Sequence, residues 1–169
     1  MREIDKAHSS LKDIFDLDNK FLNLSKLKNN PASKLSLFEA VLSRRTARSY
    51  TEEIVPDEIL KEIIEISSHA PSACNEQRWS IILLRDNKKI FELVERGSAS
   101  FLKNSKNCLV VCYDYRGDNH EWADHIQSGA SFIAIFQLVA HAFGIGSCWV
   151  GHLPNKSEVK RMLKISKHN

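Results

Sequence analysis

Two polar clusters in the first half of the chain have residue types that suit ligand binding. Residues 44–48 read RRTAR, and residues 70–79 read APSACNEQRW and lead directly into an apolar run. A planar guanidinium donates two parallel hydrogen bonds to an oxyanion, so the first cluster suits a phosphate group. The second cluster offers small residues and side-chain amides. Together the clusters predict a ligand with a phosphate at one end and a polar aromatic ring system at the other.

Both clusters also have a plainer interpretation. Arg44 and Arg48 are four residues apart, so on a helical turn they would share one face, with the Thr46 hydroxyl nearby. Cations also collect at helix C-termini, where they interact favourably with the dipole, so a solvated basic surface fits the same pattern. Asn75 and Gln77 are equally typical of a polar turn before a strand. The residues alone leave these alternatives open.

Size and composition indicate one globular domain. The chain has 169 residues, of which 43% are hydrophobic and 27% are charged. Its formal net charge is +3, and Lys and Arg are spread along it, which argues against nucleic acid as a partner. Residues 1–30 lack the apolar core of a secretion signal, and the longest apolar stretch, 130–143, is too short to span a membrane. We therefore expect a cytoplasmic protein with no membrane partner.

Cysteine and histidine spacing argues against a metal site or a disulfide framework. The cysteines, Cys74, Cys108, Cys112 and Cys148, form no CxxC pair, and two of them lie in apolar runs. We expect buried, reduced thiols. The histidines show no tight ligand spacing and no flanking acidic cluster, so we predict no metal.

Hydrophobic periodicity divides the chain into a helical extension and a main domain. Residues 1–34 carry an imperfect helical stripe, and residues 35–169 form the domain. Ser36 followed three residues later by Glu39 is a capping box, which predicts that a helix starts here. The apolar residues of this helix are expected to face the core: Phe38, Val41 and Leu42.

The longest predicted element is a helix over residues 123–143. It is apolar nearly all round in its second half, which is typical of a helix in the middle of a domain or a dimer. The strand over 108–113 is apolar throughout and is therefore expected to be central in a sheet. The other predicted elements are a helix that opens at Pro56, a strand over 80–84, helices over 90–94 and 157–164, and an extended piece over 147–151.

The order of these motifs and elements resembles the nitroreductase family of flavin-dependent oxidoreductases. The matching segments, within residues 35–163, are 44–50, 70–79, Trp122 with Asp124, and 144–151. The resemblance implies an α+β fold with a central, mostly antiparallel sheet flanked by helices. It also implies an intimate homodimer built around the long helix, with FMN held at the subunit interface.

The resemblance assigns roles to three groups of residues. The FMN phosphate, the ribityl chain and the pyrimidine edge of the ring would be bound by Arg44, Arg45, Thr46 and Arg48. The segment that reaches the flavin from the other subunit would comprise Pro71, Ser72, Ala73, Asn75 and Gln77. The stretch near the isoalloxazine N5 would be Val150 and Gly151, although a glycine after an extended piece is also typical of a turn.

The implied activity is hydride transfer from NAD(P)H through the flavin to a small acceptor by a ping-pong cycle. Nitroaromatics, quinones and free flavins all suit an open pocket, and no side chain is assigned as a general acid or base, because the cofactor carries the hydride chemistry. The alternatives are a non-catalytic, dimeric flavin-binding protein and a basic module for nucleic acid. The second lacks interleaved aromatic residues and a stripe of charge.

The chain departs from the family pattern in three places. It ends at Asn169 without a match to the last strand that family members extend to the other subunit, so we expect weaker FMN binding. Arg78 stands where the family usually has a proline, and it adds a charge near the expected ring position. Ala73 replaces a common serine and removes one hydroxyl. The extension over 1–34 exceeds the usual family start and is expected to compensate in part.

Overall fold

The computed structural model describes residues 35–116, 122–153 and 155–165, and the predicted helical extension over 1–34 lies outside them. The helices are α1 (Leu37–Ser43), α2 (Asp57–Ser67), α3 (Asn87–Glu95), α4 (Asp124–Ala142) and α5 (Lys156–Met162). The strands are β1 (Trp79–Leu84) and β2 (Cys108–Tyr113), and short 3-10 turns occur at Ala73–Asn75 and Ser100–Asn104. The α+β class is therefore confirmed.

The starts of α1 and α2 follow the predicted capping signals. At α1, the Glu39 amide donates to Ser36 Oγ at 3.3 Å, and the Ser36 amide donates to Glu39 Oε2 at 2.7 Å. This reciprocal pair is the predicted capping box. Pro56 is the residue just before α2, and Asp57 and Glu58 follow in the first turn, where carboxylates interact favourably with the helix dipole.

The main core lies where α2 and α4 pack on the two strands. Leu60, Ile63 and Ile64 form the buried stripe of α2, and Leu60 and Ile64 belong to one cluster with Phe132 of α4. Trp79 is buried at the start of β1, with its ring 5.3 Å from that of Phe132. Helices α2 and α4 and strand β1 therefore share one core.

The sheet is an antiparallel pair, with Trp79 opposite Tyr113 and Leu84 opposite Cys108. The predicted bounds of β2 are confirmed at both ends. The prediction that β2 is central in a sheet is wrong, because within the described ranges the sheet has two strands and β2 is an edge strand. The expected extended piece over 147–151 contributes one isolated parallel bridge, between Thr46 and Ser147.

Helix α4 runs for 19 residues, close to the predicted span. Gly144 follows it with φ +76°, a left-handed conformation that ends helices and favours glycine. The residue at the N-terminal cap of α4 is Ala123, and no side chain caps this helix. Asp124 instead lies in the first turn, where its charge favours the dipole. No helix in the described part of the chain is long and apolar enough to cross a membrane.

The prediction that Phe38, Val41 and Leu42 face the core is wrong for the single chain. They are 79%, 54% and 73% exposed, whereas Ala40 is the buried residue of α1. The physical reason is that this short helix contacts α4 through its small residue, which leaves the larger side chains pointing outward. This surface, which also includes Leu37, is called the α1 apolar face below.

The cysteines are all free, but only part of the expectation about them holds. Cys108 and Cys112 are buried, as predicted from their apolar surroundings, and burial raises the pKa of each thiol to about 11. Cys74 is exposed and Cys148 is partly buried, so the prediction of buried thiols is wrong for Cys74.

Candidate functional site

The arginine segment begins where α1 ends, and a side chain of α4 holds that end. Ser43 Oγ donates to the Glu39 carbonyl at 2.5 Å and lies 2.8 Å from His141 Nε2. A hydroxyl has a single proton, so Nε2 of the histidine must be the donor in the second contact. This places the N–H of His141 on Nε2 and ties the start of the arginine segment to the C-terminal end of α4.

The expectation that Arg44 and Arg48 share a helical face is wrong. Helix α1 stops at Ser43, and Arg44 already has ψ 129°, outside the helical region. The chain leaves the helix because it pairs with a distant segment: Ala47 N donates to Ser147 O at 3.1 Å, beside the bridge at Thr46. In strand-like backbone, alternate side chains point the same way, so Arg44, Thr46 and Arg48 are the set that can face one ligand.

The three guanidinium groups are used differently. Arg45 Nη1 donates to the carbonyls of Leu42 and Arg44 at 2.8 and 2.9 Å, and so satisfies acceptors at the end of α1. Arg48 lies over the Phe101 ring, 6.0 Å from its centroid. Within the described ranges, neither Arg44 nor Arg48 forms an ion pair, so these two remain available for an anionic group.

Close approach of two backbones shapes the same region. A Cβ added at Gly146 would lie 3.0 Å from Ala47 Cβ, tighter than ordinary contacts allow. Tyr50 donates its hydroxyl proton to the Ala47 carbonyl at 3.0 Å, and burial raises the pKa of Tyr50 to about 12, so the donor form persists at neutral pH. Glycine at 146 therefore lets residues 46–47 and 147 pair.

The second cluster is a loop with unusual backbone angles. Cys74, Asn75 and Gln77 have φ values of +51°, +55° and +49°, a left-handed conformation that costs free energy for residues other than glycine. Such residues persist when the surroundings hold them, and they concentrate at functional sites. The Gln77 side-chain amide donates to Asn75 Oδ1 at 3.2 Å, so the two amides form one polar group on the surface.

Hydrogen bonds hold this loop at its N-terminal side. The amide of Ala73 donates to Ser128 Oγ at 3.1 Å, and Ser128 is only 2% exposed. The amide of Gln77 donates to Ser72 Oγ at 3.0 Å and closes the loop on itself. Ser72 and Ala73 are partly buried, whereas Pro71, Asn75 and Gln77 are exposed and face solvent in the single chain.

The two clusters lie at opposite ends of α4. Ser128 holds the loop, and His141 holds the end of α1 where the arginine segment starts. Ser128 and His141 are thirteen residues apart on one helix, which at the helical rise corresponds to about 20 Å along the axis. The structure therefore anchors the predicted phosphate group and the predicted ring-binding group at two separate points of one helix.

Val150 and Gly151 follow Ser147, the residue that pairs with Thr46 and Ala47 of the arginine segment. Val150 is partly buried and packs on a second group of core residues, which includes Ile90, Leu93 and Val159. Gly151 is exposed. Trp149 is 45% exposed, so it is not part of the core of the single chain. Behind Val150 lies a mostly apolar cleft of about 750 Å³ between α2, α4 and β2. Of the predicted site residues, only Val150 lines it, but Ala47 and its partner Ser147 line it as well, so the cleft borders the first polar cluster.

Four positioning residues escaped the sequence analysis: Ser128, His141, Gly146 and Ser147. Ser128 and His141 are polar residues inside an apolar helix, which is the signal that could have found them, because buried polar groups require partners. Gly146 and Ser147 belong to the motif that carried the resemblance, but their contact with residues 46–47 depends on the fold.

Comparison with known proteins places the chain in a family. The nitroreductase family model matches residues 41–106 and 91–169, so the chain belongs to the nitroreductase family. A protein of Archaeoglobus fulgidus with the provisional name NADH dehydrogenase/NAD(P)H nitroreductase is 29% identical over 126 residues, 74% of this chain and 72% of its own length. The FMN reductase [NAD(P)H] of Bacillus subtilis is 26% identical over 153 residues, 78% of this chain and 61% of its own.

A solved structure supports the same fold. The FMN-dependent nitroreductase of Clostridium difficile R20291 superimposes with a TM-score of 0.67 at 26% identity, covering 76% of this chain and 79% of its own. The nitroreductase-like fold implied by the resemblance is confirmed.

Proposed function

We propose that this chain is an FMN-dependent NAD(P)H oxidoreductase that works as a homodimer with composite cofactor sites. Membership of the nitroreductase family supports the proposal, as do the names of relatives that reduce flavin or nitro compounds with NAD(P)H. The observation that carries the composite site is that the two polar clusters are anchored at different ends of α4, by residues about 20 Å apart along the helix.

The residues present fit FMN. Arg44 and Arg48 are without ion-pair partners in the described ranges and can bind a phosphate, with the Thr46 hydroxyl between them. The paired amides of Asn75 and Gln77 offer donors and acceptors to the polar edge of a ring. Each half of the set thus matches one end of the cofactor.

An antiparallel pairing of two copies would complete the set. If two α4 helices lie side by side in opposite directions, the N-terminal end of one is next to the C-terminal end of the other. The loop held by Ser128 then approaches the arginine segment of the second copy. The α1 apolar face, Trp122, Ile126 and Trp149 supply exposed apolar surface of the kind that obligate interfaces bury.

Bound FMN supplies the hydride chemistry, and this chain supplies binding, orientation and exclusion of water. Arg44, Thr46 and Arg48 hold the anionic end, while Asn75 and Gln77 orient the ring. The backbone at Val150 and Gly151 would lie beside the ring when FMN is bound. NAD(P)H and the acceptor use the same open surface in turn, which gives a ping-pong cycle. The acceptor is a small nitroaromatic, a quinone or a free flavin.

Heterodimers of two defective variants test the composite site. One variant is Arg44→Ala with Arg48→Ala, and the other is Asn75→Ala with Gln77→Ala. Each homodimer should lose FMN. Purification by two different tags isolates the heterodimer, in which one site combines both intact halves and the other combines both defective halves. We expect this heterodimer to bind FMN at one of its two sites. Binding at neither site would contradict the composite arrangement.

A second measurement tests the enzyme itself. NADH or NADPH added without oxygen should bleach the absorbance of bound FMN, and a nitroaromatic or a quinone should restore it. Initial rates should give parallel double-reciprocal lines, as expected for a ping-pong cycle. A protein that binds FMN but is not bleached by either nucleotide would be the non-catalytic flavin-binding protein instead.

A further inference from the structure

We infer that Arg78 is a positioning residue that clamps the loop over 72–77 in its ligand-binding conformation. Its guanidinium bridges two partners: Nη2 donates to Glu76 Oε1 at 2.6 Å, and Nη1 donates to the Arg116 carbonyl in the turn after β2. The backbone carbonyl of Arg78 accepts from Asp114 N at 3.0 Å. The inference rests on the proposed function, because the loop it holds is one half of the proposed FMN site.

The loop needs a clamp because its backbone is strained. Cys74, Asn75 and Gln77 each occupy a left-handed conformation that L-residues rarely adopt. Ser128 fixes the N-terminal side of the loop through the Ala73 amide. On the other side, Arg78 joins the loop to the end of the hairpin, so the strained residues lie between two anchors.

Charge pairing distinguishes a clamp from an anion site. Arg78 is paired with Glu76, and Arg116 forms a forked contact with Asp114. The group of four side chains therefore has two positive and two negative charges, and neither guanidinium is left to attract a phosphate. The role of Arg78 follows from its geometry: it fixes Glu76, and thereby fixes the direction of the neighbouring Gln77 amide.

The geometry also explains why arginine suits this position. Its planar fork reaches a carboxylate and a carbonyl at the same time, whereas a lysine ammonium acts as a single point of charge. Arg78→Lys should therefore keep one of the two contacts, and Arg78→Ala should lose both. Wild type, Arg78→Lys and Arg78→Ala therefore have the same strained loop, held by two contacts, one contact and no contact of this side chain.

Titration of the dimeric protein with FMN, followed by flavin fluorescence, tests the clamp. Arg78→Ala should raise the FMN dissociation constant about tenfold or more, because it removes two contacts of a charged side chain, with Arg78→Lys between it and wild type. Hydrogen exchange of the amides over 73–77 without FMN should be faster in Arg78→Ala, whereas exchange in β1 should not change. The salt dependence of FMN binding should stay that of wild type.

Arg85→Ala is the matched control. Arg85 also joins a carboxylate, that of Asp57, to a backbone carbonyl, that of Val55, but it lies away from the loop. Arg85→Ala should lower the melting temperature and leave the FMN dissociation constant within about twofold of the wild-type value.

The outcomes separate this inference from the proposed function. If wild type binds FMN and Arg78→Ala binds it equally well, or exchanges its loop amides no faster, the clamp is wrong and the function stands. A reduced salt dependence in Arg78→Ala would show direct contact with the phosphate and would also overturn the clamp. If wild type binds no FMN, the proposed function fails and the inference fails with it.

Discussion

Ser128 and His141 lie near opposite ends of one helix, and each holds a different polar segment. Ser128 accepts from the Ala73 amide, and His141 donates to the Ser43 hydroxyl. Helix α4 therefore keeps the two anchoring residues about 20 Å apart along its axis, and each anchor belongs to one half of the proposed cofactor site. One helix thus defines both what a single chain can bind and how a second copy must be placed.

Arg44 and Arg48 should dominate the affinity for FMN. Arg44→Ala or Arg48→Ala should weaken FMN binding by about 1.5–3 kcal/mol, the range for losing a hydrogen bond to a charged group. Titration at low salt measures the change. Arg45→Ala is the internal comparison and should weaken binding less, because its guanidinium already bonds the Leu42 and Arg44 carbonyls. Equal dissociation constants for wild type and both single variants would remove the phosphate assignment.

The α1 apolar face should be part of the dimer interface. Leu42→Glu introduces a charge into a surface that dimerisation would desolvate, so it should raise the dimer dissociation constant by about tenfold or more. Light scattering at micromolar concentration reports the mass, and the same samples report FMN content. Phe91 on α3 is also an exposed apolar residue, and Phe91→Glu should leave both unchanged. A wild-type chain that is monomeric under these conditions would contradict this interface.

Thiol labelling should separate the cysteines by burial. The thiolate is the reactive form, and with a pKa of about 11 only roughly one thousandth of Cys108 or Cys112 is ionised at pH 8. We expect a disulfide reagent to label the exposed Cys74 first and these two only after unfolding, as followed by mass spectrometry. FMN should slow the labelling of Cys74, because this residue lies in the proposed binding loop. Equal labelling rates for Cys74 and Cys108 in the native protein would contradict the burial pattern.

Tyr50 should make the protein less stable at high pH. Burial raises its pKa from 10.0 to about 12, with smaller contributions in the same direction from Cys148 and Cys108. Between these values the unfolded chain loses the phenolic proton before the folded chain does. The associated stability is therefore complete below pH 10 and falls as the pH rises towards 12.

Urea unfolding from pH 9 to 11.5, with a reductant present, measures this effect. Tyr50→Phe should flatten the decline above pH 10, whereas the decline due to the buried thiols, which begins about one unit lower, should persist. Parallel curves for the two proteins above pH 10 would show that Tyr50 ionises normally.

Local patterns predicted the regular elements well, and long-range contacts explain the failures. The continuous apolar run of β2 gave both of its ends, and the capping box gave the start of α1. The outward direction of Phe38 and Leu42 could not be predicted, because periodicity shows which face is apolar but not which partner covers it. The helical interpretation of residues 44–48 failed because pairing with Ser147 overrides the favourable helix propensity of arginine.

The candidate site was identified by residue type but not by arrangement. The polarity of Ser128 and His141 inside an apolar helix indicates that each needs a partner, but not which distant segment supplies it, since both contacts join residues more than fifty positions apart. Likewise, the left-handed angle at Gln77 belongs to a residue type for which such angles are uncommon, whereas asparagine, as at Asn75, adopts them more readily.

The left-handed residues of the loop lower the stability of the folded chain, while their side chains form part of the proposed site. Glycine adopts these angles without a steric penalty, so Cys74→Gly or Gln77→Gly would relieve strain in the folded chain, although glycine also gains freedom when unfolded. A sequence selected for stability alone would therefore tolerate glycine here. This chain instead keeps a thiol, two amides and a carboxylate over 74–77, which is the composition expected where side chains are retained for what they contact rather than for the fold.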